Sequence, residues 1–398
     1  MPTSTSSRAT LRQGIALPIA LAAIIAVGAL IAGVFFASTQ EYRVGRNTLA
    51  TQRALHGAEV GLNSVVASWT PARTTKLKIG FRDTLKDTVI DESFVKREWV
   101  RVSPTMFWVT STAVAGTQSL QQRSLKRLNT LVRVDIPDMR IQGAMTVRGS
   151  INATGTGTIN GNDITPPGWP DCLEAGSPSS GLVVASPTNA TSSGTCTGFT
   201  CVSGSPPIAT SSIYGDSMTY KNFGGFNYDS LTKLAAASKT FDPVTNGGTI
   251  IAQRAPTFNL VDGSCATGDR LNWGDTSHVN GPAGCREYYP VVWLKDKTAL
   301  WTLNGEGGQG ILLVDGDLKI AGKFSWTGLI LVQGHIEVAG NQSPKIIGGI
   351  MAMNRDNEAQ SVSGTPTIRF SRCALQAVTA RLATARQTQY RAWADMSF

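Results

Sequence analysis

The sequence predicts an α+β protein: a long N-terminal helix with a small antiparallel sheet, followed by a short right-handed parallel β-helix that carries a loop-rich, disulfide-containing insertion. Three observations predict this class. An uncharged run near the N-terminus passes into an amphipathic helical segment, period-two strands follow, and glycine-spaced repeats recur later in the chain. With 398 residues, 41 glycines and 18 prolines, the chain is long enough for two folded units and rich in turns.

The segment nearest the N-terminus is long and apolar enough to cross a membrane. Residues 15–40 carry no charge, and at ~1.5 Å rise per residue they exceed a ~30 Å hydrocarbon core. Arg8 and Arg12 precede the segment without any acidic residue, which predicts that this end stays in the cytoplasm and the rest is exported. A cleaved secretory signal peptide is the alternative. Ala37 and Ser38 keep it open, but the apolar run is longer than such peptides usually have.

A helical pattern continues beyond the apolar segment. Apolar residues recur at helical spacing among polar ones as far as Pro71, which ends the pattern. These residues are Val44, Leu49, Leu55, Ala58, Leu62 and Val65. The spacing predicts one helix over residues 15–70, membrane-spanning in its first half and amphipathic in its second.

Three stretches of this region resemble the N-terminus of PilX-type minor pilins, a family of type IV pilus subunits. They are Arg12-Gln13-Gly14-Ile15-Ala16-Leu17-Pro18-Ile19-Ala20-Leu21, Ala37-Ser38-Thr39-Gln40-Glu41 and Ala54-Leu55-His56-Gly57-Ala58-Glu59-Val60-Gly61-Leu62. The resemblance implies that residues 1–14 are a leader peptide, that a prepilin peptidase cuts after Gly14, and that Ile15 becomes the methylated first residue. It also implies that the helix contacts other pilin subunits and the inner membrane.

One residue departs from the pattern of the major pilins. They carry a glutamate at the fifth mature position, thought to pair with the free amine of a neighbouring subunit, and here that position is Ile19. An unpaired amine is costly to bury in lipid, so the carboxylate has a role during packing. Its absence favours a low-copy subunit at or near a filament tip.

Residues 71–139 are predicted to form the antiparallel strands of a pilin-like domain. Period-two alternation marks strands at residues 98–102, 107–112 and 128–134. Thirteen Lys or Arg against seven Asp or Glu fall within residues 71–140, which concentrates the net charge of +9 in this region. Such a surface suits nucleic acid, acidic polysaccharide or anionic lipid. A solvated domain face is favoured, because no aromatic-interleaved binding motif accompanies the charges.

Glycine-spaced repeats organise the rest of the chain. Copies beginning at Gly143, Gly310 and Gly328 carry glycine at the first, seventh and thirteenth places and valine at the fifth. A partial copy begins at Gly349 and a looser one at Pro290. Spacings of 18 and 21 residues suit one coil of a parallel β-helix, in which apolar rows stack and glycines allow corners. The side chains predicted to point inward are those of Ile151, Leu318 and Ile336, and those predicted to face solvent are Asn152, Lys319 and Glu337.

The predicted β-helix domain spans residues 140–373 but is discontinuous. Residues from about 156 to 289 separate the first copy from the others and are predicted to leave the stack as a loop-dominated insertion, with a short helix at residues 230–238. Insertions on repeat scaffolds commonly carry the binding surface. Residues 374–398 are predicted to form a helix that caps the open end of the stack, followed by a tail. The region from Trp273 to Arg372 also resembles β-helix regions joined to PilX-type N-termini.

All six cysteines lie in the part of the chain that is predicted to be exported. An even count in an exported, loop-rich region predicts up to three disulfides, although six cysteines permit 15 pairings. The candidates are Cys172, Cys196, Cys201, Cys265, Cys285 and Cys373. We expect Cys196 to pair with either Cys201 or Cys172, and Cys265 to pair with Cys285.

The sequence specifies neither a metal site nor a catalytic site. Zinc ligands at Cys265, His278 and Cys285 lack a fourth partner, and Asp315-Gly316-Asp317 lacks the ligand count of a calcium loop. No cofactor is predicted. Parallel β-helices also host polysaccharide lyases and hydrolases, for which the candidate residues are Asp262, Asp275, His278, Glu287 and His335. Their spacing specifies no reaction, so the sequence does not predict an enzyme.

The sequence therefore predicts a minor pilin-like structural subunit of a type IV pilus or related filament, taking part in filament initiation, assembly or tip adhesion. As a precursor it is expected to cross the inner membrane once, with its C-terminus outside the cytoplasm. After assembly it is expected in an extracellular filament or the periplasm, with surface polysaccharide as a candidate adhesion ligand. The alternative is a membrane-anchored envelope protein that never enters a filament and binds or cleaves cell-surface polysaccharide through its β-helix.

Overall fold

The computed structural model describes residues 16–70, 73, 77–116, 123–135, 139, 141–169, 172, 175–253, 256–276, 283–355, 358–382 and 384–388. Gly14, Ile15 and His278, which figure in the sequence predictions, lie outside these residues. The chain divides into two compact units. The first comprises residues 1–68, 79–133 and 386–398, and the second comprises residues 69–78 and 134–385.

The first unit contains one long helix, α1, at Ala16–Ala67. Its 52 residues correspond to a length of about 78 Å at 1.5 Å per residue. The buried residues all lie in its second half, and they recur at intervals of three and one, which is the period of one helix face. They are Ala54, Gly57, Ala58, Gly61, Leu62 and Val65. The predicted single helix is confirmed over residues 16–67.

An antiparallel sheet completes the first unit. Its strands are β1 at Arg82–Ile90, β2 at Ser93–Ser103, β3 at Met106–Gly116, β4 at Arg123–Asp135, and an edge strand at Thr384–Gln387 beside β4. The three predicted strands are parts of β2, β3 and β4. β1 was not predicted, because its charged and exposed side chains hide any apolar alternation, and the edge strand lies in a segment that was predicted to be a tail.

Small residues let α1 lie close against this sheet. A Cβ atom added at Gly57 would stand 2.9 Å from the Cβ of Ser93, and one added at Gly61 would stand 2.6 Å from Cγ1 of Val95. Ala58, Leu62 and Leu128 pack into the same small apolar cluster. The guanidinium of Arg97, only 9% exposed, donates hydrogen bonds to Ser64 Oγ (3.2 Å) and to the carbonyl oxygen of Lys86 (2.6 Å). The contact therefore depends on close approach rather than on large side chains.

The second unit is built on two parallel sheets. In the described residues the larger sheet has 11 strands: β5 at Gly143–Val147, β7 at Thr158–Asn160, β8 at Ser180–Val184, β10 at Val202–Ser203, β11 at Ile208–Thr210, β14 at Thr240–Phe241, β16 at Val291–Leu294, β18 at Gly307–Val314, β20 at Ser325–Val332, β22 at Lys345–Ala352 and β24 at Thr367–Phe370. The smaller has seven: β6 at Ile151–Ala153, β9 at Ala190–Ser192, β15 at Ile250–Gln253, β17 at Leu300–Gly305, β19 at Asp317–Ile320, β21 at Ile336–Val338 and β23 at Gln360–Val362.

Consecutive strands from β16 to β24 alternate between the two sheets, so each repeat contributes one strand to each. Gly310 pairs with Gly328, and Gly328 pairs with Gly348. All three glycines have positive φ. A Cβ atom at any of them would collide with a backbone carbonyl oxygen of the preceding repeat. The fourth copy therefore begins at Gly348, and the predicted start at Gly349 is wrong by one residue. The looser copy at Pro290 is in register, because Val291 pairs with Ile311.

The predicted inward and outward positions are confirmed. Ile151, Leu318 and Ile336 are fully buried. Trp301, Leu318 and Ile336 lie side by side on successive strands of the smaller sheet. The polar side chain of Gln360 lies next in this row and separates these three residues from Ile151. Gln360 Oε1 accepts a hydrogen bond from the backbone N–H of Ile336. The outward residues Asn152, Lys319 and Glu337 are half-buried. Lys319 Nζ lies 2.9 Å from Glu337 Oε1 across the sheet surface.

The order of the repeats in space differs from their order in sequence. β5 pairs with β22, and β6 pairs with β23, so the copy at Gly143 lies beside the fourth copy rather than beside the second at Gly310. The copies at Gly143 and Gly310 are therefore not neighbours in space. Because β22 is eight residues long, it pairs with β24 through Lys345–Gly348 and with β5 through Ile350–Ala352.

The segment predicted to leave the stack contributes to both sheets. β7, β8, β10 and β11 extend the larger sheet beyond β24 and β5, whereas β14 and β15 form the opposite edges. The prediction that residues 156–289 leave the stack as an insertion is therefore wrong. Between these strands lie the hairpin of β12 at Asn222–Phe223 and β13 at Phe226–Asn227, and α2 at Tyr228–Thr232. The remaining short helices are α3 at Pro243–Asn246 and α4 at Ala283–Arg286.

The helix predicted to cap the stack, α5, is present at Arg372–Ala380 but lies elsewhere. It covers the face of the larger sheet. A Cβ at Gly328 of β20 would stand 3.1 Å from Val378, and one at Gly349 of β22 would stand 3.4 Å from Leu375. The end-capping role is wrong because an apolar helix face can be buried against a sheet face that glycines leave accessible.

Three disulfides link segments of the second unit. Cys172 pairs with Cys373, Cys196 with Cys201, and Cys265 with Cys285. Of the two partners left open for Cys196, the structure has Cys201. The Cys172–Cys373 bond joins residues 201 positions apart and fixes the first turn of α5.

Substituting Gly57 tests the close contact of α1 with the sheet. We expect Gly57→Ala to lower the free energy of unfolding by about 1–3 kcal/mol, because the Cβ of Ser93 is attached to the backbone and cannot rotate away. Gly45→Ala is the matched control. Nothing lies within 4 Å of a Cβ at Gly45, so there alanine raises helix propensity and leaves stability equal or higher. Denaturant unfolding of both variants measures the difference, and equal stability would show that the contact is not close.

Leu318→Asp tests the inward row of the parallel sheets. Leu318 is fully buried, so an aspartate there is expected to cost on the order of several kcal/mol. Lys319→Ala is the control, since an exposed Lys–Glu pair is worth about 0–1 kcal/mol. Melting temperatures of the two variants compare the costs. If they fall equally, Leu318 does not contribute to the core as described.

Candidate membrane and filament interface

The first half of α1 is an apolar surface that the described chain leaves uncovered. From Ala16 to Gln40 the helix carries no charged residue, and apolar side chains are exposed on every side of it. Leu17 is 81% exposed and Phe35 is 71% exposed. An apolar helix without an apolar stripe is typical of a segment surrounded by lipid or by other helices.

By length and composition this helix can span a membrane. An 18-residue window of α1 has a mean hydropathy of 2.8, and none of that window is buried. In the part of the chain that the structure describes, α1 alone meets these criteria. Residues 16–40 correspond to about 38 Å of helix, more than the ~30 Å hydrocarbon thickness.

Ile19 lies on this uncovered surface and is 62% exposed. Its neighbours along the helix are equally apolar, so the described part of α1 offers no carboxylate before Glu41. A charge in this segment would be costly in lipid unless a partner neutralised it. An isoleucine at this position therefore suits an apolar environment, in which it needs no oppositely charged partner.

The second half of α1 is attached to the sheet through polar contacts as well as small residues. Arg53 forms an ion pair with Glu92 in the turn between β1 and β2. His56 Nδ1 lies 3.5 Å from an Asp91 carboxylate oxygen in the same turn. Near the other end, Gln387 Nε2 donates to Asn63 Oδ1 at 3.0 Å. The edge strand at Thr384–Gln387 thus contacts α1.

The outer face of the antiparallel sheet presents apolar residues in register. Val89 pairs with Phe94, Phe94 with Val114, and Val114 with Leu125. Val89, Phe94 and Leu125 are 70%, 52% and 49% exposed. All four residues lie outside the predicted strand segments 98–102, 107–112 and 128–134, so the sequence did not predict this row. Contiguous exposed apolar surface is typical of protein-contact sites.

Several basic side chains in residues 71–140 make hydrogen bonds or ion pairs within the protein. Arg97 is buried at the helix contact, Arg101 donates to the carbonyl oxygens of Ser103 and Pro104, and Arg127 donates to Thr112 Oγ1. Arg82 lies 3.6 Å from Glu98. These contacts favour a structural role for much of the positive charge over a continuous basic surface for nucleic acid.

The candidate catalytic residues occupy unrelated environments. Asp262 is in a loop where its Oδ1 accepts from the backbone N–H of Ser264, and hydrogen bonding lowers the pKa of this carboxyl. Asp275 is 3% exposed, whereas Glu287 is exposed. His335 Nδ1 lies 3.2 Å from Asp317 Oδ1 and 3.5 Å from Glu358 Oε2.

The residues weighed as metal ligands are engaged in other contacts. Cys265 and Cys285 form a disulfide, so neither supplies a thiolate to zinc. Asp315 Oδ1 accepts from Tyr228 and Trp293, while Asp317 Oδ1 accepts from the backbone N–H of His335. Within the described residues there is no group of three or more His, Cys, Asp or Glu side chains arranged to hold a metal ion.

Comparisons with known proteins give little direct information. No protein-family model matches the sequence. No curated protein matches it. Among solved structures, the competence-associated pilin ComZ from Thermus thermophilus aligns over 87% of this chain and 97% of its own, with 11% sequence identity and a TM-score of 0.24.

Proposed function

We propose that this chain is a minor pilin-like structural subunit of a type IV pilus or related filament, taking part in filament initiation, assembly or tip adhesion. The observation that carries the proposal is α1. Its first half is uncharged and uncovered, and its second half packs closely on a small antiparallel sheet. A helix of this kind is suited to a bilayer before assembly and to a bundle of like helices afterwards.

The proposal includes a route to the filament. The precursor crosses the inner membrane once, with the basic leader in the cytoplasm and the C-terminus outside. A prepilin peptidase cuts after Gly14 and methylates Ile15, as the resemblance to PilX-type minor pilins implies. Three disulfides in the second unit support this orientation, because disulfides persist in oxidising compartments.

We further propose that the two parallel sheets are the walls of a short right-handed parallel β-helix that the filament presents outward. Support comes from the alternation of β16 to β24 between the sheets and from the aligned glycines Gly310, Gly328 and Gly348. Rows of buried side chains at matching positions are what stacked coils require.

We propose a structural rather than an enzymatic role for the second unit. Asp262 binds its own loop, and His335 is paired with Asp317 on the surface of the smaller sheet. Catalytic carboxylates of polysaccharide-cleaving enzymes work as a close pair about a scissile bond. The alternative of a non-filament envelope protein predicts an unprocessed or differently processed N-terminus, which makes processing the deciding experiment.

Cleavage between Gly14 and Ile15 is the first expected outcome. In a strain with active prepilin peptidase, mass spectrometry of the native N-terminal peptide should find N-methylated Ile15. Gly14→Val should leave the precursor in the membrane. Gly28→Ala is the control, since nothing lies within 4 Å of a Cβ there, and it should be processed normally. Recovery of an intact leader from the unmodified chain would contradict the proposal.

A position at or near the filament tip is the second expected outcome. Immunogold labelling of the unmodified chain should mark few sites per filament, near one end. Ile19→Glu supplies the carboxylate that major pilins carry and is expected to permit incorporation along the shaft. Leu21→Glu places the same charge two residues away on an equally exposed position and should not. Uniform labelling of filaments by the unmodified chain would show that it is a bulk component.

A further inference from the structure

The second unit contains a cavity at the carboxyl end of its larger parallel sheet. Its volume is about 750 Å³, within the ~300–1,000 Å³ range of ligand sites. One wall consists of Trp293 on β16 and of Asp315, Gln333 and Met353, which directly follow β18, β20 and β22. The opposite side is formed by the β12–β13 hairpin and α2. Successive strands of the stack therefore bring side chains from distant parts of the sequence to one place.

A hydrogen-bond network fixes the wall of the cavity. Asp315 Oδ1 accepts from the hydroxyl of Tyr228 at 3.1 Å and from Nε1 of Trp293 at 3.0 Å. Burial and the adjacent Asp315 carboxylate raise the pKa of Tyr228, so the hydroxyl remains a donor. Arg355 donates to the carbonyl oxygens of Lys297 (3.0 Å) and Asp315 (2.8 Å). The polar groups are thus held in place before any ligand arrives.

The lining combines hydrogen-bonding groups of both kinds with apolar surface. Asn222 and Asp229 stand exposed at the rim, while the half-buried indole of Trp293 and the side chain of Met218 supply apolar area. Three cationic side chains face two carboxylates, and the Arg355 guanidinium is committed to backbone carbonyl oxygens. The net charge of this lining is only +1, so it gives a multiply charged ligand such as a nucleic acid strand little electrostatic attraction.

We infer that this cavity binds a neutral saccharide, of the size of one or two sugar rings. Sugar hydroxyls both donate and accept, which matches a rim of amide and carboxylate groups. Their C–H faces pack on indole and thioether surfaces. This inference goes beyond the proposed function, because binding by the solubilised chain does not require a filament. Its failure would leave the filament assignment unaffected.

The test is a binding titration of the full-length chain, solubilised in a detergent without a sugar headgroup. The probes are maltose, lactose and N,N′-diacetylchitobiose, with sialyllactose as the acidic comparison, and calorimetry or ligand-observed NMR supplies Kd. At least one neutral disaccharide should bind. Asp229→Ala should weaken that binding about tenfold, as expected for loss of one charged hydrogen bond. Asn222→Ala should also weaken it, because it removes a rim amide that can both donate to and accept from sugar hydroxyls.

Lys233→Ala is the matched control, since Lys233 follows α2 directly but does not line the cavity, and affinity should not change. Each variant is used only if its melting temperature equals that of the unmodified chain, and Asp229→Ala provides the test if Asn222→Ala unfolds. Failure of every neutral disaccharide to bind would overturn the inference. So would binding of sialyllactose alone, or unchanged affinity in both rim variants.

Discussion

The uncovered apolar half of α1 is the constraint on which the first unit depends. Moving one large aliphatic or aromatic side chain out of water is worth roughly 1.5–3 kcal/mol, and residues 16–40 expose many of them. No charged residue in that segment makes its exposure to water more favourable. Burial of this surface in a bilayer or among similar helices would therefore stabilise the segment. Its second half must meanwhile attach it firmly to the sheet.

That attachment uses small residues because α1 and the sheet lie very close together. Gly57 and Gly61 bring the helix backbone next to Ser93 and Val95, at a separation that larger side chains would prevent. Ion pairs such as that of Arg53 with Glu92 sit at the exposed margin and contribute little by themselves. The close approach lets many atoms of the two surfaces make dispersion contacts, and the apolar residues Ala58 and Leu62 are buried there. The same geometry explains why the amphipathic half of the helix shows an alanine- and glycine-rich face.

Local periodicity was enough to predict α1, parts of β2, β3 and β4, and the inward side chains of the repeats. It did not predict β7, β10 or β14, because strands of two or three residues are too short to show a period. Nor did it predict where Trp293, Asp315 and Arg355 would meet, since the coils that carry them are stacked by tertiary contacts. The order of the coils was missed for the same reason. Matching repeats do not specify which copy lies next to which.

The pairing of β5 with β22 makes the segment between them part of the core. β22 divides its length between β24 and β5, so the larger sheet forks, and β7 and β10 extend one branch while β8 and β11 extend the other. Excising this segment would remove β8, whose Leu182 pairs with the fully buried Met145 of β5, and would uncover that edge of β5. The Cys172–Cys373 bond closes a loop of 201 residues around the same fork. In the chain-entropy model such a loop is worth about 5 kcal/mol, more than twice the value for the short Cys196–Cys201 loop. Thus the stack is continuous in space although its copies are separated in sequence. The fork at β22 joins the strands of the first copy to those of the later copies.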